Sequence, residues 1–388
     1  MRLSPRVFAV GFLQNFASFL TWSVIPVWAK YEKGATTEQL GYLPLAGGVT
    51  YIVVCLLAGR LSDRIPRGLL ARAGMLLFAA FCGLAWWSRS VTAIACLGAL
   101  NGCAMALIWP AIQASVGDGS TADDLERNLG AFSFSWSAGK TAGFLAFTAL
   151  YKTAGLGFDT LLLCGLVGLL LAPLMPSGRG PARAAGAPMV RDDHHPPALR
   201  AAHLRAGWWS NFAAYGMGAV LVYLYPALLK SRGREPEDHG RVLGAVYFAQ
   251  TAGFLLFARF AGWRYRLAPL LAWSGAGAAA LVVLGLGAPV ALAIPTGIVL
   301  GLALSLSYSA SVYYSLHSEE KRGARAGIHE AIIGAADCSF AYFGGQAVAV
   351  TGSESAPYIL AAAATVFAMA MSAWSVRHAP ATPTSTTS

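Results

Sequence analysis

The stretch Gly59-Arg60-Leu61-Ser62-Asp63-Arg64-Ile65-Pro66-Arg67 decides how the chain is read. It is a short charged break between two long apolar runs, 39–59 and 69–88. Outward from it, similar charged or Gly/Pro-rich breaks cut the chain into twelve apolar segments: 7–29, 39–59, 69–88, 91–116, 128–151, 156–176, 206–229, 241–260, 267–287, 289–316, 325–350 and 355–376. Each approaches the roughly 20 residues that a helix needs to cross a hydrocarbon core. They are too long and too uniformly apolar for the alternating strands of an outer-membrane barrel. Composition agrees. Of 388 residues 56% are hydrophobic and only 12% charged, and mean hydropathy is +0.56. Disorder, a fibrous repeat and an ordinary soluble enzyme are excluded on those numbers. The expectation is an all-α polytopic membrane protein of twelve transmembrane helices.

The net charge of +10 raises the question of nucleic acid, and the position of the charges answers it. With the N-terminus on the cytoplasmic side, inside loops and tails hold 19 of the 28 Lys and Arg, outside loops hold 8, and Lys140 lies within a span. This bias is the positive-inside signal. It places both termini in the cytoplasm and accounts for the basic pI without a nucleic-acid partner. Apolar residues follow Arg2 and Arg6 as far as Trp28, too long a run for a signal peptide, so it reads as the first span. The six cysteines sit in apolar runs without a CxxC pair, so no metal site is expected. The Arg-, Ala- and Gly-rich composition points to a bacterial inner (plasma) membrane.

One long polar stretch, 177–205, separates two halves of six spans each. The expected organisation is an N-terminal bundle 1–176, a cytoplasmic linker 177–205, a C-terminal bundle 206–378 and a disordered tail 379–388. The halves repeat. Asn15-Phe16-Ala17 matches Asn211-Phe212-Ala213 at an offset of 196, and Pro26 matches Pro226 at 200. The loop 59–67 matches 258–266, and Gly102 to Trp109 matches Gly301 to Tyr308, both at 199. A parallel duplication of six-span halves is a transporter architecture, with the substrate site between the halves near the midplane.

The loop at 59–67 resembles the signature loop of the major facilitator superfamily, roughly G-x-L-[AS]-D-[RK]-x-G-[RK]. It departs at Pro66, where Gly is usual, and the second copy after span eight lacks the Asp. Twelve spans, the middle linker and the repeat extend the resemblance over the whole chain. It implies two pseudo-symmetric six-helix bundles, alternating access, and a monomer working on a small solute within the bilayer. It also implies that Asp63 faces the start of span eleven, at the positive end of a helix dipole. Arg60, Arg64 and Arg67 then hold nearby acids or carbonyls, and the loop acts as an inner gate. The resemblance implies that helices one, four, seven and ten, the first of each three-helix unit, line the cavity. Their candidates for substrate contact are Asn15 and Trp22, Trp109 and Gln113, Asn211 and Tyr215, and Tyr308.

Ionisable residues inside spans are functional candidates by default, because the bilayer interior penalises charge. Lys140 sits mid-span five and Asp337 mid-span eleven, at an offset of 197. Helical steps of three and four place Trp136, Ser137 and Lys140 on one face of span five. The same steps align Glu330, Gly334 and Asp337 on span eleven. A cavity wall and a buried structural ion pair both fit these faces. Glu330 and His329 lie near the cytoplasmic end, where a contact with the 59–67 loop is expected. Proton coupling through Asp337 or Glu330 stays open. The usual span-four Arg of proton-driven exporters has no counterpart in Leu97-Gly98-Ala99-Leu100-Asn101-Gly102.

Enzyme readings fare worse. His329-Glu330-Ala331-Ile332-Ile333 lacks the second His of a zinc-protease motif. Gly275 to Ala280 mimics a dinucleotide fingerprint without a preceding strand. The absence of a Walker A sequence argues against ATP-driven transport. The reading is therefore a secondary transporter of a small organic solute with no cofactor. The alternative is a lipid or lysolipid flippase of the same fold, with a polytopic enzyme or a receptor behind it.

Overall fold

The computed structural model describes residues 5–61, 65–117, 122–175, 195–316 and 322–378. Within them the chain runs as twelve principal helices, with no strand. The N-terminal half comprises α1 (Pro5–Tyr31), α2 (Thr37–Tyr42 continued by Leu45–Leu61), α3 (Arg67–Ser88), α4 (Val91–Gly117), α5 (Ala122–Thr153) and α6 (Thr160–Leu171). The C-terminal half comprises α7 (Pro197–Ala219, continued through Val220–Leu224 and Tyr225–Ser231), α8 (Glu237–Arg259), α9 (Leu267–Gly285), α10 (Val290–Leu316), α11 (Arg322–Thr351) and α12 (Ala356–Arg377). Ten of the twelve are long and apolar enough to cross a membrane; α5 and α11, the carriers of Lys140 and Asp337, are not among them. Leu57, Leu170, Phe343, Val366, Phe367 and Trp374 are exposed on the outer surface. An apolar exterior of this extent suits lipid, not water.

Local chemistry sets the breaks. Thr36 caps α2 through a reciprocal box with Gln39, the Gln39 N–H donating to Thr36 Oγ1 at 3.2 Å and the Thr36 N–H to Gln39 Oε1 at 2.9 Å. Pro44 then interrupts α2, since it brings no N–H to the ladder. α7 begins at Pro197, earlier than the 206 expected from hydropathy, because a polar first turn adds no apolar signal. Inside α7 a five-residue π segment, Val220–Leu224, precedes Pro226. Between Asn211 and Pro226 the repeat offset widens from 196 to 200, so the second copy carries four extra residues there, and the π segment lies within that interval.

The duplication is visible in packing. A Cβ on Gly102 would collide with the Gly47 carbonyl oxygen, and one on Gly301 with the Val246 carbonyl oxygen. Both partners are shifted by 199 residues, so α2 against α4 and α8 against α10 are the same close approach made twice. α1 against α5 and α7 against α11 repeat with sizes exchanged. Gly143 seats against Leu20 in the first copy, and Gly216 against the Phe340 ring in the second. The halves meet along α5 with α8 and α2 with α11, the exchange that a twofold pseudo-axis along the bundle requires. The space left between them is the cavity described next.

Candidate functional site

A cavity lies between the halves. Its wall includes Asn15, Ser18, Phe19 and Trp22 of α1, Tyr51 of α2, and Asn101, Trp109 and Gln113 of α4. Trp136 and Lys140 of α5 complete the N-terminal side. The other half brings Tyr215 and Tyr223 of α7, Tyr247 and Gln250 of α8, Tyr308 of α10, and Glu330, Gly334 and Asp337 of α11. The wall is thus dominated by aromatic rings, with few charges.

Lys140 is only 5% exposed. Its ammonium lies 3.8 Å from the centroid of Tyr247, 4.2 Å from Phe19 and 5.9 Å from Tyr215. Ring faces attract a cation, and more strongly where water is excluded. Asp337 faces the same cavity from the other half, and Tyr223 donates its hydroxyl to Asp337 Oδ2 at 3.3 Å. The two opposite charges do not close an ion pair. Among the described residues the ion pairs are Arg89–Asp159 and Arg241–Asp238, both near the face opposite the termini. Both residues line the cavity, and no salt bridge joins them.

Glu330 has a different environment. Tyr51 donates to its Oε2 at 2.6 Å and Gln113 to its Oε1 at 2.9 Å. Both donors are neutral and both belong to the other half, so this carboxylate ties α2 and α4 to α11. Its neighbour His329 is turned away from the cavity, with Nδ1 at 2.8 Å from Ser311 Oγ and its ring edge-on to Tyr308. On the same side Trp136 packs edge-on against Phe254 and Tyr308 at 5.4 and 5.2 Å. These contacts join the halves on the side of the cavity toward the termini.

The opposite face is closed by polar contacts between the halves. Lys230 Nζ donates to the Lys30 carbonyl at 2.8 Å, and the Tyr31 hydroxyl to the Arg234 carbonyl at 2.8 Å. Thr37 Oγ1 reaches the Glu354 carboxylate at 2.7 Å. Gln346 donates to Glu38 at 3.2 Å and to Tyr42 at 3.1 Å.

The structure brings Lys140, Asp337, Trp136, Asn15, Trp22, Trp109, Gln113, Tyr215 and Tyr308 to one cavity wall. Asn211 is off that wall, fully buried, with neither amide atom partnered. Of the expected gate residues, Glu330 lines the cavity, where Tyr51 and Gln113 occupy both its oxygens. Arg67 opens α3. Asp63 and Arg64 lie outside the described residues, as does the side chain of Arg60. The sequence reading missed Phe19, Tyr51, Tyr223, Tyr247 and Gln250. It weighed polar residues mainly on helices one, four, seven and ten, and so passed over α2 and α8. A signal existed: Tyr51 and Gln250 are polar interruptions of apolar runs at the repeat offset of 199.

Comparison with known proteins follows this geometry. The chain superposes on a bacterial homolog of the human lysosomal transporter Spinster in its inward-facing, unoccupied conformation. The TM-score is 0.71 at 14% identity, covering 98% of this chain and 100% of that one. The occupied form of a bacterial Spinster homolog gives 0.70 at 14%, covering 97% and 98%. A point mutant of the nucleoside transporter NupG gives 0.71 at 14%, covering 95% and 98%. At such identity the likeness is one of fold. No curated protein sequence matches the chain. The sequence profile described as Major Facilitator Superfamily matches residues 7–315. The chain is therefore a multi-pass membrane transporter, not an enzyme, and it belongs to the major facilitator superfamily.

Proposed function

We propose that the protein is a secondary transporter that moves a small organic solute by alternating access. The observation that carries this reading is the pair Lys140 and Asp337. They are opposite charges at equivalent places in the two halves, facing one cavity with no salt bridge between them. Charge inside a bilayer is costly unless a partner meets it at close range, so each is a contact point for cargo. Lys140 receives an anionic group and Asp337 a cationic one. A bound solute then touches both halves, and the halves rock around it. The Glu330 contacts and the 59–67 loop close one face, and the Lys30–Lys230 and Thr37–Glu354 contacts close the other. Glu330, held only by neutral donors, is the place for a coupled proton. The working unit is a monomer in the inner membrane with both termini cytoplasmic.

The test is counterflow in proteoliposomes, with no chemical change in the solute. Lys140→Ala and Asp337→Asn are expected to lose it, and full wild-type transport in both sinks the assigned roles. Glu330→Gln is expected to keep counterflow and lose accumulation driven by a pH gradient. Transbilayer movement of a labelled lipid, with no solute counterflow, would instead favour the flippase.

A further inference from the structure

We infer that the cargo is a zwitterion whose cationic end carries N–H hydrogens, in other words a primary or secondary ammonium next to a carboxylate or phosphate. This deepens the transporter reading and rests on it. The cavity wall carries several unmet valences. Glu330 is the better satisfied carboxylate, with a donor on each oxygen from Tyr51 and Gln113. Among the described residues Lys140 is the cation on the wall, and its ammonium is seated on ring faces without a hydrogen-bond acceptor. Its N–H groups are free for an anionic oxygen. Asp337 uses one oxygen toward Tyr223 and has capacity left.

Two further groups lean the balance toward acceptors. Asn101 Oδ1 and Gln250 Oε1 belong to cavity-wall residues that are 6% and 2% exposed, and neither oxygen has a partner. A buried carbonyl oxygen without a donor is costly. Both residues line the same cavity as Lys140 and Asp337 and, like them, fall near the middle of their helices. A molecule with a single anionic group for Lys140 and several N–H donors for Asp337, Asn101 and Gln250 matches this set. A quaternary ammonium does not, because it has no N–H to give. The rings of Trp22, Trp136 and Tyr308 leave room for an apolar body. The same head chemistry occurs in a free amino acid and in the headgroup of a lysophosphatidylethanolamine.

The experiment is ligand-induced thermal stabilisation of the purified full chain. One scaffold varies only in charge: phenylalanine, its N-acetyl form, its methyl ester and its N-trimethyl betaine. Lysophosphatidylethanolamine and lysophosphatidylcholine form the lipid arm. The zwitterion with N–H groups is expected to act at concentrations at least about tenfold below each altered analogue, since each lost charge-assisted contact is worth a factor of that order. In Asp337→Asn the preference over the N-acetyl form falls to about twofold or less; in Lys140→Gln the preference over the ester does the same. Lys140→Arg and Asp337→Glu keep the wild-type ranking, and unliganded melting midpoints show that all four variants fold. Stabilisation by lysophosphatidylethanolamine alone, with lysophosphatidylcholine inert, supports the inference and assigns the zwitterion to a lipid. A single-charge analogue or the betaine matching the zwitterion overturns it. So does stabilisation by neither zwitterion, or a ranking unchanged in both charge variants. Wild-type counterflow of the N-acetyl form would sink this inference and leave the transporter standing. Absence of counterflow for every solute would sink the transporter reading itself.

Discussion

Lys140 is held without a salt bridge, and the sequence shows only half of how. The charge in an apolar run is plain in the sequence. The cage is not, because Phe19, Tyr215 and Tyr247 come from three other helices and two halves. Each cation–π contact is worth about 0.5–2 kcal/mol, more when desolvated. Tyr247 is the nearest ring, and Tyr247→Leu is expected to raise the KM of counterflow by about three- to tenfold while the chain still folds. An unchanged KM would remove Tyr247 from the site. Glu330 makes the complementary case. Its charge and its depth are legible, but its donors Tyr51 and Gln113 sit far away in sequence. Tyr51→Phe leaves Oε2 without that donor and should destabilise the protein by about 1–3 kcal/mol. A thermal-shift assay of Tyr51→Phe, Glu330→Gln and the double variant should show non-additive losses. Strict additivity would mean that the bond contributes nothing.

The helices were legible as elements because each apolar run had a clear break on both sides. What escaped was the interior punctuation: the interruption of α2 at Pro44 and the π segment before Pro226. Hydropathy runs smoothly across both, since Leu43, Pro44, Val220 and Leu224 carry no charge. The close approaches of α2 to α4 and α8 to α10 were legible only as a matched Gly102 and Gly301. That match means more in space, where each glycine lies against the backbone of its partner helix. Gly102→Val and Gly301→Val are each expected to lower the melting midpoint. The loss is of the size seen for overpacked cores, about 1–3 kcal/mol or more. The two should fall by similar amounts, because the contacts are copies. A tolerated valine at either site would contradict the packing. Gly130 has open space at its Cβ position and serves as the control.

At the scale of the molecule, the halves are joined on the two sides of the cavity by different chemistry. Toward the termini the contacts are aromatic and carboxylate-centred, and at the other face they are a set of hydrogen bonds. The second set includes Thr37 with Glu354 and Lys230 with Lys30. Alternating access requires one face to open while the other holds. A disulfide between Thr37→Cys and Glu354→Cys, in a chain cleared of native cysteines, should therefore arrest counterflow, and reductant should restore it. Transport that continues through the cross-linked state would exclude opening at that face. Fold and halves were legible from spans and offsets; the closures were not, because they join residues about 200 to 317 positions apart.

The two helices that fall short of the apolar threshold have a consequence for synthesis. Lys or Asp at a helix centre costs about 2.5–3.5 kcal/mol during insertion from the translocon. α5 and α11 are thus weak inserters on their own, and their long contacts with α1 and α2 compensate. Emerging from the ribosome, α5 enters a bilayer that already holds α1, and α11 one that already holds α2. The order of the chain is thereby also an order of assembly, in which the N-terminal half is a template for the second cargo-bearing helix.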